Sequence, residues 1–252
     1  MIRLLRKIRQ NLLSDRKYSM YILYASGEII LVMFGILIAL QIDNWSEDKK
    51  LANTEQQYLL ALREEFSFNK GELERVMNRN ELNANNAILM VNNMGPENPE
   101  ITEEEFGILA RGSLSREIQF SPSQGVLDEI ISSGKLGLFS NQKLRFALSS
   151  WGGLLDMTRL QEEELLRLRY ITIDIMRNEA NLRKAIYGPW LEELGVKQTK
   201  FKQGSLHLLK SLPFEGHMVG IVTMSLSLNN NDYLSLSEEI DRILLLIENE
   251  IK

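Results

Sequence analysis

The sequence predicts an all-α protein, in which a single N-terminal transmembrane helix is followed by a bundle of long helices. Three observations predict it. One charge interrupts the 22 residues from Tyr21 to Ile42. Apolar residues then recur at spacings of three and four over the long stretches 56–93, 141–185 and the region after Pro213, the period of a helix with one buried face. No strand-like alternation runs beyond a few residues, and "HMVGIVTM" also reads as helix. The totals agree with a folded chain: 252 residues, 44% hydrophobic and 25% charged.

Tyr21 to Ile42 would span about 33 Å as a helix, close to the ~30 Å of a bilayer's hydrocarbon. Six basic residues precede it, Arg3, Arg6, Lys7, Arg9, Arg16 and Lys17, against Asp15 alone. Asp43, Glu47 and Asp48 follow it. Positive charge stays on the cytoplasmic side. The expected topology therefore has residues 1–20 cytoplasmic or interfacial, 21–45 as a signal anchor, and 46–252 as a helical domain across the membrane. Tyr21 and Tyr24 at the near end and Trp45 at the far end suit the two interfaces. Ala39-Leu40-Gln41 matches a signal-peptidase site poorly, which favours an uncleaved anchor. Ile2, Leu5, Ile8 and Leu12 fall at helical spacing, with Arg3, Arg6, Lys7 and Arg9 between them. That pattern fits either a basic amphipathic helix on the inner leaflet or a simple basic leader.

Glu28 is the single charge inside the segment. On a helical wheel Gly35 and Ala39 return to within about 20° of it, and Leu31 and Val32 flank the same stripe. An acid and two small residues on one face suit a membrane helix–helix contact, because small side chains permit close approach and a buried polar group needs a partner. Two other uses suit Glu28: snorkelling to the cytoplasmic edge, or carrying a proton or ion.

Beyond the membrane segment, Leu59, Leu62, Phe66, Leu73, Val76, Ala84, Ala87 and Val91 make a near-heptad stripe with Asn69 and Asn80 as polar members. It suits a bundle or coiled-coil face. "MGPENPE" breaks the chain. Thr102 and Glu105 then form a capping box with Ile101 stapled on Phe106, opening a short helix to Gly112. In "SPSQGVLDEIISSGKLG", Ser121 reads as N-cap, Pro122 as first helical residue and Gly134 as terminator. Gly134-Lys135 is no phosphate loop, since Glu129 and Leu136 stand where glycine and a hydroxyl are required. Leu144, Leu148, Trp151 and Leu155 share a face of the next long helix, which Gly152-Gly153 weakens or kinks. "YGPW" breaks the chain again. The last helix carries Tyr233, Leu236, Ile240, Ile243, Ile247 and Ile251, with "SLNNN" as a possible interruption.

The block "RKIRQNLL…YASGEIILVMFGILIALQIDNW" resembles a family of envelope proteins from flavobacteria and other Bacteroidota, as does "LDEIISSGKLGLFSNQKLRFALSSW". The resemblance is strong over residues 1–50 and 127–151, and departs from the family's pattern at Met33-Phe34 and Ile42-Asp43. It implies a helical fold and a bacterial envelope location, which with the charge bias means the inner membrane, with residues 46–252 as a periplasmic helical domain. It implies no mechanism, as the family carries no established activity.

Little else points to chemistry. The absence of cysteine excludes disulfides, thiolate metal sites and a cysteine nucleophile. His207 and His217 lack any paired acid motif, so no metal or other cofactor is expected. Glu103–Glu105 and Glu162–Glu164 read as capping and solvated charge, and Trp151 and Trp190 as core anchors. The net charge of −5 gives no support for a nucleic-acid partner. The expected partners are membrane lipid and either a second copy or another inner-membrane protein. Two functions follow. One is a non-catalytic anchored domain that self-associates or scaffolds an envelope complex. The other is a ligand-sensing or ion-coupled, stator-like accessory subunit using Glu28.

Overall fold

The structure, a computed structural model, describes residues 18–251, apart from the side chains of residues 18–21 and 24. Most of the described residues are helical, with no strand among them, as the all-α expectation requires. In order, the α-helices are α1 (Tyr18–Asn92), α2 (Glu103–Leu114), α3 (Gly125–Ser132), α4 (Gln142–Glu179), α5 (Leu182–Ile186), α6 (Pro189–Glu193), α7 (Leu212–Ser227) and α8 (Leu234–Glu248). The apolar segment and the stretch after residue 56 belong to one helix, α1. Nothing between Asp43 and Gln56 is a proline or glycine, so no residue there forces an end. The chain divides into two compact units, 1–57 and 58–252.

The second unit is built on three long helices. In α1 one stripe of buried residues runs Leu59, Leu62, Phe66, Asn69, Leu73, Val76, Asn80, Asn83, Ala87 and Met90, with Glu65 and Ala84 buried beside it. In α4 they run Leu144, Leu148, Trp151, Leu155, Thr158, Glu162, Leu165, Arg169, Thr172 and Met176. Both alternate three and four, which keeps one stripe on the core. The α7–α8 rod lies antiparallel to both. Its Glu248 and Asp241 reach Arg63 and Lys70 of α1 at 3.5 and 2.6 Å. Its Tyr233 meets Glu162 of α4. Phe66 and Trp151 bring α1 and α4 side by side, packing edge to face with ring centres 5.3 Å apart, and two helices that are each antiparallel to the rod run in the same direction.

The rod contains a register correction. Phe214, Met218, Ile221, Ser225 and Leu228 keep the four-three spacing, and Tyr233, Leu236, Ile240, Ile243 and Ile247 resume it. From Leu228 to Tyr233 the step is five. A π-turn over Leu228–Tyr233 absorbs the extra residue, so both halves of the rod keep facing the core. The expected interruption at "SLNNN" is thus a widened turn within a continuous rod.

Several local expectations hold. Thr102 and Glu105 form the capping box, and α2 runs on to Leu114. Gly134 takes a left-handed conformation, φ 70°, after α3. Gly152 and Gly153 lie inside α4, which runs on through them, with Trp151 and Leu155 buried on either side. One expectation is corrected. Ser121 and Pro122 do not open α3, which begins at Gly125 with no side-chain cap from its own N-terminal flank. Its amides are satisfied from another helix.

Candidate functional site

Two sets of residues stand out, one in each unit. In the first, α1 displays bare apolar surface. Ile29 to Phe34, Ile36 to Ile38, Leu40 and Ile42 are all at least half exposed. The helix is long and apolar enough to cross a membrane, and none of its most apolar stretch is buried. Glu28, Leu31, Val32, Gly35 and Ala39 are all exposed along this stretch, and, its own stretch of helix backbone aside, nothing lies within 4 Å of where a Gly35 Cβ would stand. Trp45 is exposed, with the Lys49 ammonium 5.7 Å from its ring centre, a cation–π pair. Arg3, Arg6, Lys7 and Arg9 lie outside the described residues, as do the side chains of Tyr21 and Tyr24.

In the second unit, buried polar side chains converge on one segment, Phe120 to Leu127. Asn69 holds Ser123 at both ends, its Nδ2 donating to the Ser123 carbonyl and its Oδ1 accepting from the Ser123 amide, each at 2.7 Å. One turn earlier on α1, Glu65 accepts from the amides of Val126 and Leu127 at 3.0 and 3.1 Å and from the Ser123 hydroxyl at 3.2 Å. It therefore caps α3 from a neighbouring helix, where a carboxylate also meets the positive end of the helix dipole. From α4, Glu162 Oε1 accepts the Phe120 amide at 2.7 Å and the Tyr233 hydroxyl at 2.6 Å.

Glu162 was expected on a solvated face. It is instead buried, because it falls on the three-four stripe of α4 between Thr158 and Leu165. Burial pushes its carboxyl above the usual range, while the Tyr233 and Phe120 bonds oppose that rise. Burial, reinforced by the adjacent carboxylate, pushes the Tyr233 hydroxyl far up as well, so it remains a donor. Arg169, also buried, donates through Nε and Nη2 to the Leu114 carbonyl, and burial lowers its pKa. Asn80 donates to the Ser225 carbonyl and to Asn229 Oδ1 at 2.8 and 2.9 Å, and Asn229 donates to the Met77 carbonyl at 3.0 Å. These bonds tie the π-turn to α1.

Other expected residues are placed as follows. Trp151 is a core anchor, 1% exposed. Trp190 is not. It is 44% exposed, because it follows Pro189 in the first turn of a five-residue helix whose buried residue is Leu191. Glu103 caps across the fold, accepting the Ser205 amide at 2.7 Å. His207 is exposed. Among the described residues, no group of three or more histidine, aspartate or glutamate side chains is arranged to hold a metal ion.

These elements define an all-α protein with a long exposed apolar helix and a bundle whose buried polar groups clamp one loop. The family of unknown function DUF6090 matches residues 28–153, half of the chain, and the chain belongs to that family. The match begins at Glu28 and takes in Glu65, Asn69 and the loop they hold. No curated protein and no solved structure matches the chain.

Proposed function

We propose that the protein is a non-catalytic, single-pass anchored subunit of a bacterial inner membrane. Its basic N-terminus is cytoplasmic and residues 46–252 are periplasmic. It acts by association within the membrane, as a self-associating scaffold or as an accessory subunit of an envelope complex. The observation that carries this reading is the run of eleven exposed large apolar side chains on α1 between Ile29 and Ile42, interrupted only by Gly35, Ala39 and Gln41. Burying one such side chain is worth about 1.5–3 kcal/mol, so a run of this length demands a cover. Lipid covers all sides of a helix at once, and the preceding six basic residues orient it.

The contact face is Glu28, Leu31, Val32, Gly35 and Ala39. The open space at Gly35 supports close approach of a second helix. Disulfide crosslinking of single-cysteine variants tests it, because the chain has no native cysteine. Crosslinks at positions 28, 35 and 39 are expected, either to a second copy or to another membrane protein. Gly35→Leu should weaken association several-fold, and Glu28→Gln less than Glu28→Ala, since polar interhelical contacts contribute about 0.6–2 kcal/mol. Crosslinks confined to positions 30, 33 and 37 on the opposite face would overturn the assignment.

A further inference from the structure

The segment "LGVKQTKFKQGS", Leu194 to Ser205, does something unusual with an aromatic residue. Phe201 is 81% exposed and Leu194 71%. A loose loop could explain such exposure, but this loop is held. Asn181 Nδ2 donates to the Gln203 carbonyl at 2.8 Å and to the Phe201 carbonyl at 3.5 Å. Lys184 Nζ donates to the Lys202 carbonyl at 3.2 Å, and the Phe201 amide donates to Thr199 Oγ1 at 3.2 Å. Beyond Gly204, the Glu103 carboxylate takes the Ser205 amide. The backbone on both sides of Phe201 is therefore fixed while its ring stands in solvent.

The surroundings are basic in an acidic chain. Residues 180–205 carry Arg183, Lys184, Lys197, Lys200 and Lys202 against Glu192 and Glu193, a net of +3 where the whole chain is −5. All five basic residues are exposed. Among the described residues the ion pairs of the chain involve none of them. Phe201 lies between two lysines in sequence, so ring and charges share one tip.

We propose that this loop docks on an anionic phospholipid surface, with the Phe201 ring entering the interfacial region and Lys197, Lys200 and Lys202 meeting the lipid phosphates. A lone protruding ring suits a bilayer, which surrounds an inserted side chain on every side and attracts basic residues. A protein hot spot works differently, inside a contiguous patch that excludes water. The test rests on α1 holding the chain in a bilayer; failure of the chain to enter discs at all would count against that reading, and failure of loaded discs to bind anionic vesicles against this one.

The test uses the full chain held in nanodiscs of phosphatidylcholine, mixed with vesicles and separated by flotation. Vesicles containing phosphatidylglycerol should carry the protein-loaded discs upward, pure phosphatidylcholine vesicles should not, and salt should reverse the binding. Empty discs serve as the blank. Each of Lys197→Gln, Lys200→Gln and Lys202→Gln should weaken binding about fivefold, and Phe201→Ser about tenfold. These side chains are exposed, so circular-dichroism melting should be unchanged. Equal binding to neutral and anionic vesicles, no binding to either, or wild-type binding by Phe201→Ser would overturn the proposal. Capture by soluble polyglutamate that is insensitive to Phe201→Ser, with nothing added by lipid, would assign the loop to an acidic macromolecule instead.

Discussion

The Tyr233 hydroxyl donates a 2.6 Å hydrogen bond to Glu162, 71 residues earlier in the chain, and the same carboxylate oxygen accepts the Phe120 amide. One buried oxygen thereby joins three elements: the C-terminal rod, α4 and the loop before α3. The rod's register correction makes the meeting possible, since the π-turn ends at Tyr233 and keeps that residue on the core.

The bond has a pH signature. Burial raises the Glu162 carboxyl above its ordinary range in the folded protein; the Tyr233 and Phe120 bonds and Arg159 pull it down, and Asp232 pushes it up. The folded state therefore holds this proton more tightly than the unfolded chain. The associated stability is complete below the ordinary glutamate range and is lost as pH rises through the folded value. Glu162→Gln removes that dependence. Its melting temperature should rise relative to the parent as pH increases above about 4. Paired melting curves check it; a difference that stays flat or falls with pH contradicts it. Tyr233→Phe should cost about 1–3 kcal/mol at neutral pH, because it strips a donor from a buried carboxylate.

Asn69 replaces a backbone partner for Ser123, donating and accepting once each. Asn69→Leu leaves a part-buried amide and carbonyl unpaired and should cost about 2–4 kcal/mol. Asn69→Asp sets a carboxylate against the Ser123 carbonyl and should be at least as damaging. Thermal or urea unfolding measures both. A loss under 0.5 kcal/mol for either would show that the loop finds other partners.

If the π-turn only absorbs a residue, removing that residue should be tolerated. Asn230 is exposed within the turn, whereas Asn229 is bonded to Asn80 and Met77. Deleting Asn230 restores a four-residue step from Leu228 to Tyr233 and leaves Ile240, Ile243 and Ile247 facing the core. Deleting Glu238 instead rotates those three by about 100° and should abolish cooperative melting. Circular dichroism of the two deletions decides the point: equal damage would mean that the π geometry itself is needed.

Much of this architecture is visible in residue spacing. Leu144, Leu148, Trp151 and Leu155 mark the core face of α4, and Thr102 with Glu105 marks the start of α2. Glu162 escaped because a charged residue on a stripe is read by its chemistry, although its position between Thr158 and Leu165 already placed it inside. The α3 start escaped because Ser121 and Pro122 make a plausible local cap, while the group that caps the helix, Glu65, lies 61 residues from Val126. Long-range partners of this kind leave no local pattern. Trp190 misled for the opposite reason, since a large aromatic residue beside a proline need not be covered in a helix of five residues.

We propose above all that the exposed apolar stretch of α1 lies in a membrane with residues 46–252 on the periplasmic side. Single cysteines at Phe34, Lys49 and Phe146 in the otherwise cysteine-free chain test it in intact spheroplasts with a membrane-impermeant maleimide. Lys49→Cys and Phe146→Cys should label fully without lysis, Phe34→Cys should stay unlabelled until detergent is added, and the protein should remain in the pellet after alkaline carbonate. Labelling of Phe34→Cys at the rate of Phe146→Cys, or labelling of Phe146→Cys only after lysis, would contradict the account.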